Sequence, residues 1–228
     1  MFTVSDAWKA AYPDAGVGIL VMHDVLNPGQ HPALDERKRT LETELRSRYS
    51  GYDRSAIKAI PTILAYNAYY KRFKKTYHVQ LQLESVLLKD KSIPRAGALV
   101  EAMFMAELED MLLTAGHDLK AVQMPVGVYV ADGSERYTRL NGQEQELKPG
   151  DMFISDAQGI MSSIIYGPGP SYPDYARDPA RDLYGLRGAW CGETVIAPAP
   201  GAHPDERPAV RSGCSGSVTG GIRRHLGI

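Results

Sequence analysis

The chain has 228 residues, 26 Lys and Arg against 27 Asp and Glu, 43% hydrophobic residues and two Cys. That length can bury the core of one domain, with or without an appendage, and the near-neutral balance carries no global basic excess of a non-specific nucleic-acid binder. Two Cys cannot build a disulfide framework or a closed Cys-based zinc site, and no apolar run reaches the roughly 20 residues of a membrane span.

The N-terminal MFTVSDAWKAAYPD lacks the basic-then-apolar order of a signal peptide, so a cytoplasmic protein without a membrane partner is expected. Ser5 can cap a short helix over Asp6–Ala11 that Pro13 stops. Gly16–Met22 reads as a buried strand, and Pro32–Ser50 as an amphipathic helix with Leu34, Leu41, Leu45 and Tyr49 on one face. Ser55–Tyr70 is helical, broken or restarted at Pro61. Val79–Lys89 alternates at Val79, Leu81 and Leu83, but Val86, Leu87 and Leu88 break the alternation, so a helix is favoured. A second apolar helix is expected over Arg95–Ala115, with Gly116 as its stop.

After Pro125 the pattern switches to strands at Val126–Val130, Tyr137–Leu140, Met152–Ser155 and Ile160–Tyr166, with Asn141-Gly142 as a hairpin turn. Helices followed by antiparallel strands predict an α+β fold, or a mixed sheet with helices on one side. Composition breaks at Pro168. Residues 1–168 hold 12 Gly and 8 Pro, whereas residues 169–228 hold 10 Gly and 7 Pro, both Cys, seven Arg and no Lys. The second part, 17 Gly and Pro in 60 residues without a repeat, reads as a low-complexity, disordered tail behind a folded domain of residues 1–168.

One stretch departs from the neutral average. Residues 66–78 interleave four cations with five aromatics, and Tyr70, Lys71, Arg72, Lys74, Lys75, Tyr77 and His78 could neutralise phosphates and stack on unpaired bases. The competing reading, favoured by the residues alone, packs the aromatics inward and leaves the lysines on a solvated helix face. His117 beside Asp118 is a candidate general base, although adjacent residues need not face each other and both are ordinary helix-end residues. His78, Gln80 and Glu84 can share one helix face, and Glu101, Glu107 and Glu109 lie on the next helix. Ligands for a metal exist in His78, Glu107, His117 and Asp118, but no tight spacing such as HExxH occurs, so neither metal nor cofactor is expected. Ser162-Ser163 sits on an apolar strand, and no Ser lies in a G-x-S-x-G elbow.

Two long segments, KRFKKTYHVQLQLESVLLKDKSIPRAGALVEAMFMAELEDMLLTAGHDL (71–119) and LNGQEQELKPGDMFISDAQGIMSSIIYGP (140–168), resemble the stand-alone B3/B4-domain proteins. These are similar to the B3/B4 editing module of the bacterial phenylalanyl-tRNA synthetase β subunit. The resemblance extends loosely over residues 1–168 and implies a mixed or antiparallel sheet with packed helices. It also implies tRNA or aminoacyl-tRNA as partner, with no DNA, and deacylation of mischarged tRNA as activity. Aminoacylation is not implied, since 228 residues leave no room for the synthetase's catalytic domain.

The editing site carries over unevenly. Gly116–Val122 takes the place of the family's GQPLHAFD-like segment, whose histidine falls on Lys120 while a histidine stands three positions earlier at His117. Ser162–Gly167 matches the family's small-residue strand, the Thr-Asn pair falls near Leu108-Glu109, and the glutamate that senses a tyrosine hydroxyl has no match. The site implied is His117, Asp118, Glu109 and Ser163. Ester cleavage needs no protein nucleophile, only a placed water, a polarised carbonyl and a selective pocket. A non-catalytic RNA- or small-molecule-binding module is the alternative.

Family members continue past YGP into a final apolar strand, where this chain has GPGPSYPDYARDPARDLYGLRGAWC. Permitted codons for Tyr172–Cys191, read from the next base, allow TRITPATRRVIYTVYAAPGV, a strand-like sequence of the family type. The expectation is a one-base frameshift at or just after Pro168. Resequencing of this stretch should reveal the shift, whereas an intact frame with peptide masses from residues 169–228 would refute it.

Overall fold

The computed structural model describes residues 2–169 and 183–189, the latter as a backbone strand. The chain starts with β1 (Phe2–Val4) and α1 (Asp6–Ala11), where the Ser5 side chain accepts the Trp8 N–H at 3.2 Å. Then come β2 (Leu20–Val25), α2 (Pro32–Arg48), α3 (Arg54–Lys58), α4 (Pro61–Arg72), α5 (His78–Leu88) and α6 (Ala98–Asp110). Pro32 and Pro61 open α2 and α4, where a missing N–H costs no helical bond, and Asp53 caps α3 through the Ala56 N–H. The strands that follow are β3 (Thr114–Asp118), β4 (Val126–Val130), β5 (Arg136–Thr138), β6 (Glu144–Glu146), β7 (Met152–Asp156), β8 (Gly159–Ser163), β9 (Gly167–Pro168) and β10 (Leu183–Ala189).

The fold is α+β, with a mixed five-stranded sheet in the order β1-β4-β7-β8-β9. β1 runs parallel to β4 and the other neighbours are antiparallel. β2-β10-β3 is a separate antiparallel sheet, and β5-β6 is the hairpin whose turn holds Gly142 at φ 79°. Among the described residues no helix is long and apolar enough to cross a membrane.

Three cores result. The largest is helical, built on Leu41, Leu45, Ile57, Ile63, Tyr77 and Leu83. A second joins Trp8 of α1 to Val126, Val128, Ile154 and Met161 of the sheet. A third holds Ala131, Tyr137, Leu147 and Phe153. Side-chain alternation in β4 separates the second core from the third, because Val126 and Val128 face Trp8 while Tyr129 stacks on Phe153 at 5.5 Å on the other side. In α5, Val79, Leu83 and Val86 are buried while Leu81 is 46% exposed, which is a helical stripe and not a strand face.

The structure corrects three expectations. The strand expected at Gly16–Met22 lies later, at Leu20–Val25, and Ile19, Leu20 and Val21 are exposed where burial was expected. The second apolar helix ends at Asp110, because Met111 takes a left-handed φ of 57°, and Gly116 lies inside β3 rather than at a helix end. The segment read as low-complexity supplies β10, which pairs with β2 and β3; the rest of 170–228 lies outside the described residues.

A buried ion pair joins α2 to α6. The Lys38 ammonium contacts the Glu101 carboxylate, both under a tenth exposed, and Glu101 also accepts the Ala96 N–H at 2.8 Å. Removing one partner strands a charge in the interior. Glu101→Ala should therefore cost about 3–5 kcal/mol in urea denaturation, while Lys38→Met with Glu101→Leu should recover most of that loss.

Candidate functional site

The seam between the helical core and the Trp8 core is the site. Tyr12, Met152 and Ile164 pack against both, and the cores leave between them a cleft of about 370 Å³ whose walls include Trp8, Tyr12, Tyr66, Tyr69 and Arg72. Arg72, in the last turn of α4, donates from Nη1 to the Tyr12 hydroxyl at 2.9 Å. Its guanidinium carbon lies 5.8 Å from the Tyr12 ring centre, 5.9 Å from that of Tyr69 and 5.6 Å from that of Phe73, within cation–π range of all three. The Lys148-Pro149-Gly150 turn completes this corner. Gly150 has φ +82° and lies so close to the Arg72 guanidinium that a Cβ would displace it, and its carbonyl accepts the Tyr12 hydroxyl.

Beneath the cleft sits a fully buried carboxylate, Asp151, at the entry to β7. Oδ1 accepts the Tyr69 hydroxyl at 2.8 Å and Oδ2 accepts the Ser163 hydroxyl at 2.5 Å. Tyr69 accepts the Met152 N–H at 2.8 Å, and Ser163 accepts those of Ile165 and Tyr166 at 3.1 and 3.0 Å. Burial raises the Asp151 pKa to about 6, against the lowering pull of the hydroxyl and backbone donors. Burial likewise pushes the Tyr69 phenol far up, so it stays a neutral donor and its ring is a fixed wall of the cleft.

The residues singled out in the sequence divide sharply. Tyr70 and Tyr77 are buried, with the Tyr77 hydroxyl on the Met111 carbonyl at 3.0 Å and its ring stacked on Tyr66 at 4.3 Å, so neither offers a face to a base. Lys71, Arg72, Lys74 and Lys75 stay exposed, as a cationic strip at and just after the end of α4, and His78 is exposed at the start of α5. Here the inward-packing reading holds for the aromatics.

The implied catalytic residues each have their own surroundings. His117 is 2% exposed in β3, and burial lowers its pKa to about 4 despite the charge of Asp156, which leaves a neutral, enclosed imidazole at pH 7. Asp118 is buried and accepts the Lys120 N–H at 2.9 Å. Glu109 is exposed and pairs with Arg37 at 2.8 Å, and Ser163 is the donor to Asp151. Besides Glu101, the carboxylate buried in α6 is Glu107, which accepts both the N–H and the hydroxyl of Thr114 at 3.0 Å. Among the described residues no group of three or more His, Cys, Asp or Glu could hold a metal ion.

Trp8, Tyr12 and Asp151 went unmarked in the sequence, and Tyr69 was marked only as one aromatic of the 66–78 stretch. The one local signal was an acid directly after Pro149-Gly150 and at the head of the apolar run Met152–Ile154, a place where a carboxylate enters the interior. Comparison with protein-family models and with curated proteins gives no match.

The Asp151 shift sets a pH test. Its folded pKa of about 6 exceeds the ordinary 3.8, so the folded state holds this proton more tightly and the group favours folding most below pH 3.8. That advantage is lost as pH rises through about 6 and amounts to about 3 kcal/mol across the window. The stability of the natural protein minus that of Asp151→Asn, from urea melts between pH 4 and 7, should fall with rising pH and level off above 7.

Proposed function

We propose that this chain is a stand-alone B3/B4-like module that binds tRNA or aminoacyl-tRNA, with deacylation of mischarged aminoacyl-tRNA as its reaction. The observation that carries this reading is the position of Arg72, which belongs both to the exposed strip with Lys71, Lys74 and Lys75 and to the wall of the aromatic cleft. The strip supplies cations for phosphates, and the cleft, within the size range of small-ligand sites, takes the aminoacyl end. The resemblance of residues 71–119 and 140–168 to the editing module supports the same assignment.

In the reaction, water attacks the ester carbonyl carbon and the bond to the ribose oxygen breaks. That oxygen keeps a proton from the water, and the amino acid leaves as its acid. Arg72 supplies charged N–H donors from the cleft wall for the carbonyl oxygen, where charge develops in the transition state. A second reading, non-catalytic binding of RNA or a small molecule, is favoured by the separate commitments of His117, Asp118, Glu109 and Ser163.

Fluorescence anisotropy with tRNA across a salt series tests the binding step. Affinity should fall steeply with salt, and Lys71→Gln, Lys74→Gln and Lys75→Gln together should reduce the log–log slope by about two to three. Salt-independent binding, or none, would overturn the nucleic-acid assignment. A panel of mischarged tRNAs should lose ester faster than in buffer, and Arg72→Ala should slow that loss at least tenfold with folding intact. Binding without ester loss selects the non-catalytic module.

A further inference from the structure

A second cleft, of about 420 Å³, lies between α5, α6 and the loop through Ile93, away from the Arg72 corner. Its apolar wall is Leu81, Val86, Ile93, Phe104 and Leu108. The charged or chargeable residues lining it are Lys91 and His78, and none of its lining residues is acidic. Two of the carboxylates nearby, Glu42 and Asp90, are already engaged. Glu42 accepts the Ile93 N–H at 2.8 Å and lies 3.8 Å from Arg46, and Asp90 pairs with Arg46 at 3.0 Å. Glu107 holds Thr114 with Oε1, while its Oε2, buried and without a hydrogen bond among the described residues, stands 3.8 Å from His78 Nε2. Lys91 is exposed and has no ion pair among the described residues. A third feature points to a ligand: the Gln82 Oε1, on the lining, is buried without a hydrogen-bond partner among the described residues. A buried acceptor left unmet is unfavourable, and a ligand N–H or O–H would satisfy it.

We propose that this cleft binds a small organic anion: a carboxylic acid with an aromatic or branched apolar body and one hydrogen-bond donor. The body lies on Leu81, Phe104 and Leu108, the carboxylate faces Lys91 and His78, and the donor meets Gln82 Oε1. A concave apolar site with a few polar groups that set orientation is the usual form of a small-ligand pocket. None of its lining residues lines the first cleft, and His78 is the one lining residue also named for RNA binding.

The test is calorimetric titration of the full chain with three probes. Indole-3-acetate carries both anion and donor, 1-naphthylacetate lacks the donor, and indole-3-acetamide lacks the charge. Indole-3-acetate should bind at least tenfold more tightly than the amide, with naphthylacetate weaker than indole-3-acetate. Lys91→Glu, at an exposed position, should weaken indole-3-acetate at least tenfold, and Ser85→Trp, which fills the cleft from its lining, should abolish binding. Both variants should keep the thermal midpoint and the salt-dependent tRNA binding. Equal affinity for acid and amide, binding undiminished in Lys91→Glu, or no binding of any probe at millimolar concentration would overturn the proposal.

Discussion

Asp151 is wholly enclosed, and its two oxygens hold two different layers of the molecule: Tyr69 of α4 on one, Ser163 at the end of β8 on the other. A carboxylate in such a place is tolerable only with its lone pairs occupied, so the helix and the strand must both be seated for the group to be satisfied. The rest of the site depends on that constraint. It fixes the Tyr69 ring, which is a wall of the first cleft and a platform under Arg72. It also anchors the entry of β7, one residue after the turn whose Gly150 carbonyl receives Tyr12. Burial raises the Asp151 pKa even so, which means that the hydrogen bonds offset part of the desolvation and not all of it.

The same geometry explains why the cationic strip and the aromatic residues part company. A helix with one buried stripe sends residues at helical spacing inward and leaves their neighbours in water. In residues 66–78 the aromatics hold the inward positions, and the lysines and Arg72 hold the outward ones. Arg72 alone among these cations lines the cleft, since Tyr12, Tyr69 and Phe73 surround its guanidinium. Arginine suits such a position because its planar, weakly hydrated cation stacks on rings while its N–H groups still point outward. His117 shows the converse. Its place in β3 puts the imidazole in the interior, where desolvation suppresses the charged form and denies it a role as a surface base.

Much of the fold was legible from local rules. The Ser5 cap, Pro61 as the restart of a helix, the Asn141-Gly142 turn and the alternation in Val126–Val130 each act through neighbours in the chain, and each stands where expected. Errors came where a long-range contact overrode the local signal. The apolar run through Leu113 continues the helical composition, yet Met111 turns left-handed and residues 114–118 join β10, a partner from beyond the composition break. The run Gly16–Met22 looked buried on its composition, but only its later residues enter a strand, paired with that same β10.

What the sequence by itself determined, then, is the α+β class, the helices opened at Ser5, Pro32 and Pro61, the Asn141-Gly142 hairpin, and the concentration of cations between Lys71 and Lys75, since periodicity, capping and charge are properties of neighbouring residues. Only the tertiary structure decided which of the marked residues could act. Side-chain burial and the meeting of Asp151 with Tyr69 and Ser163 across 82 and 12 positions depend on how the layers pack. No local pattern encodes a contact over that separation, because it forms only once the helices have closed on the sheet.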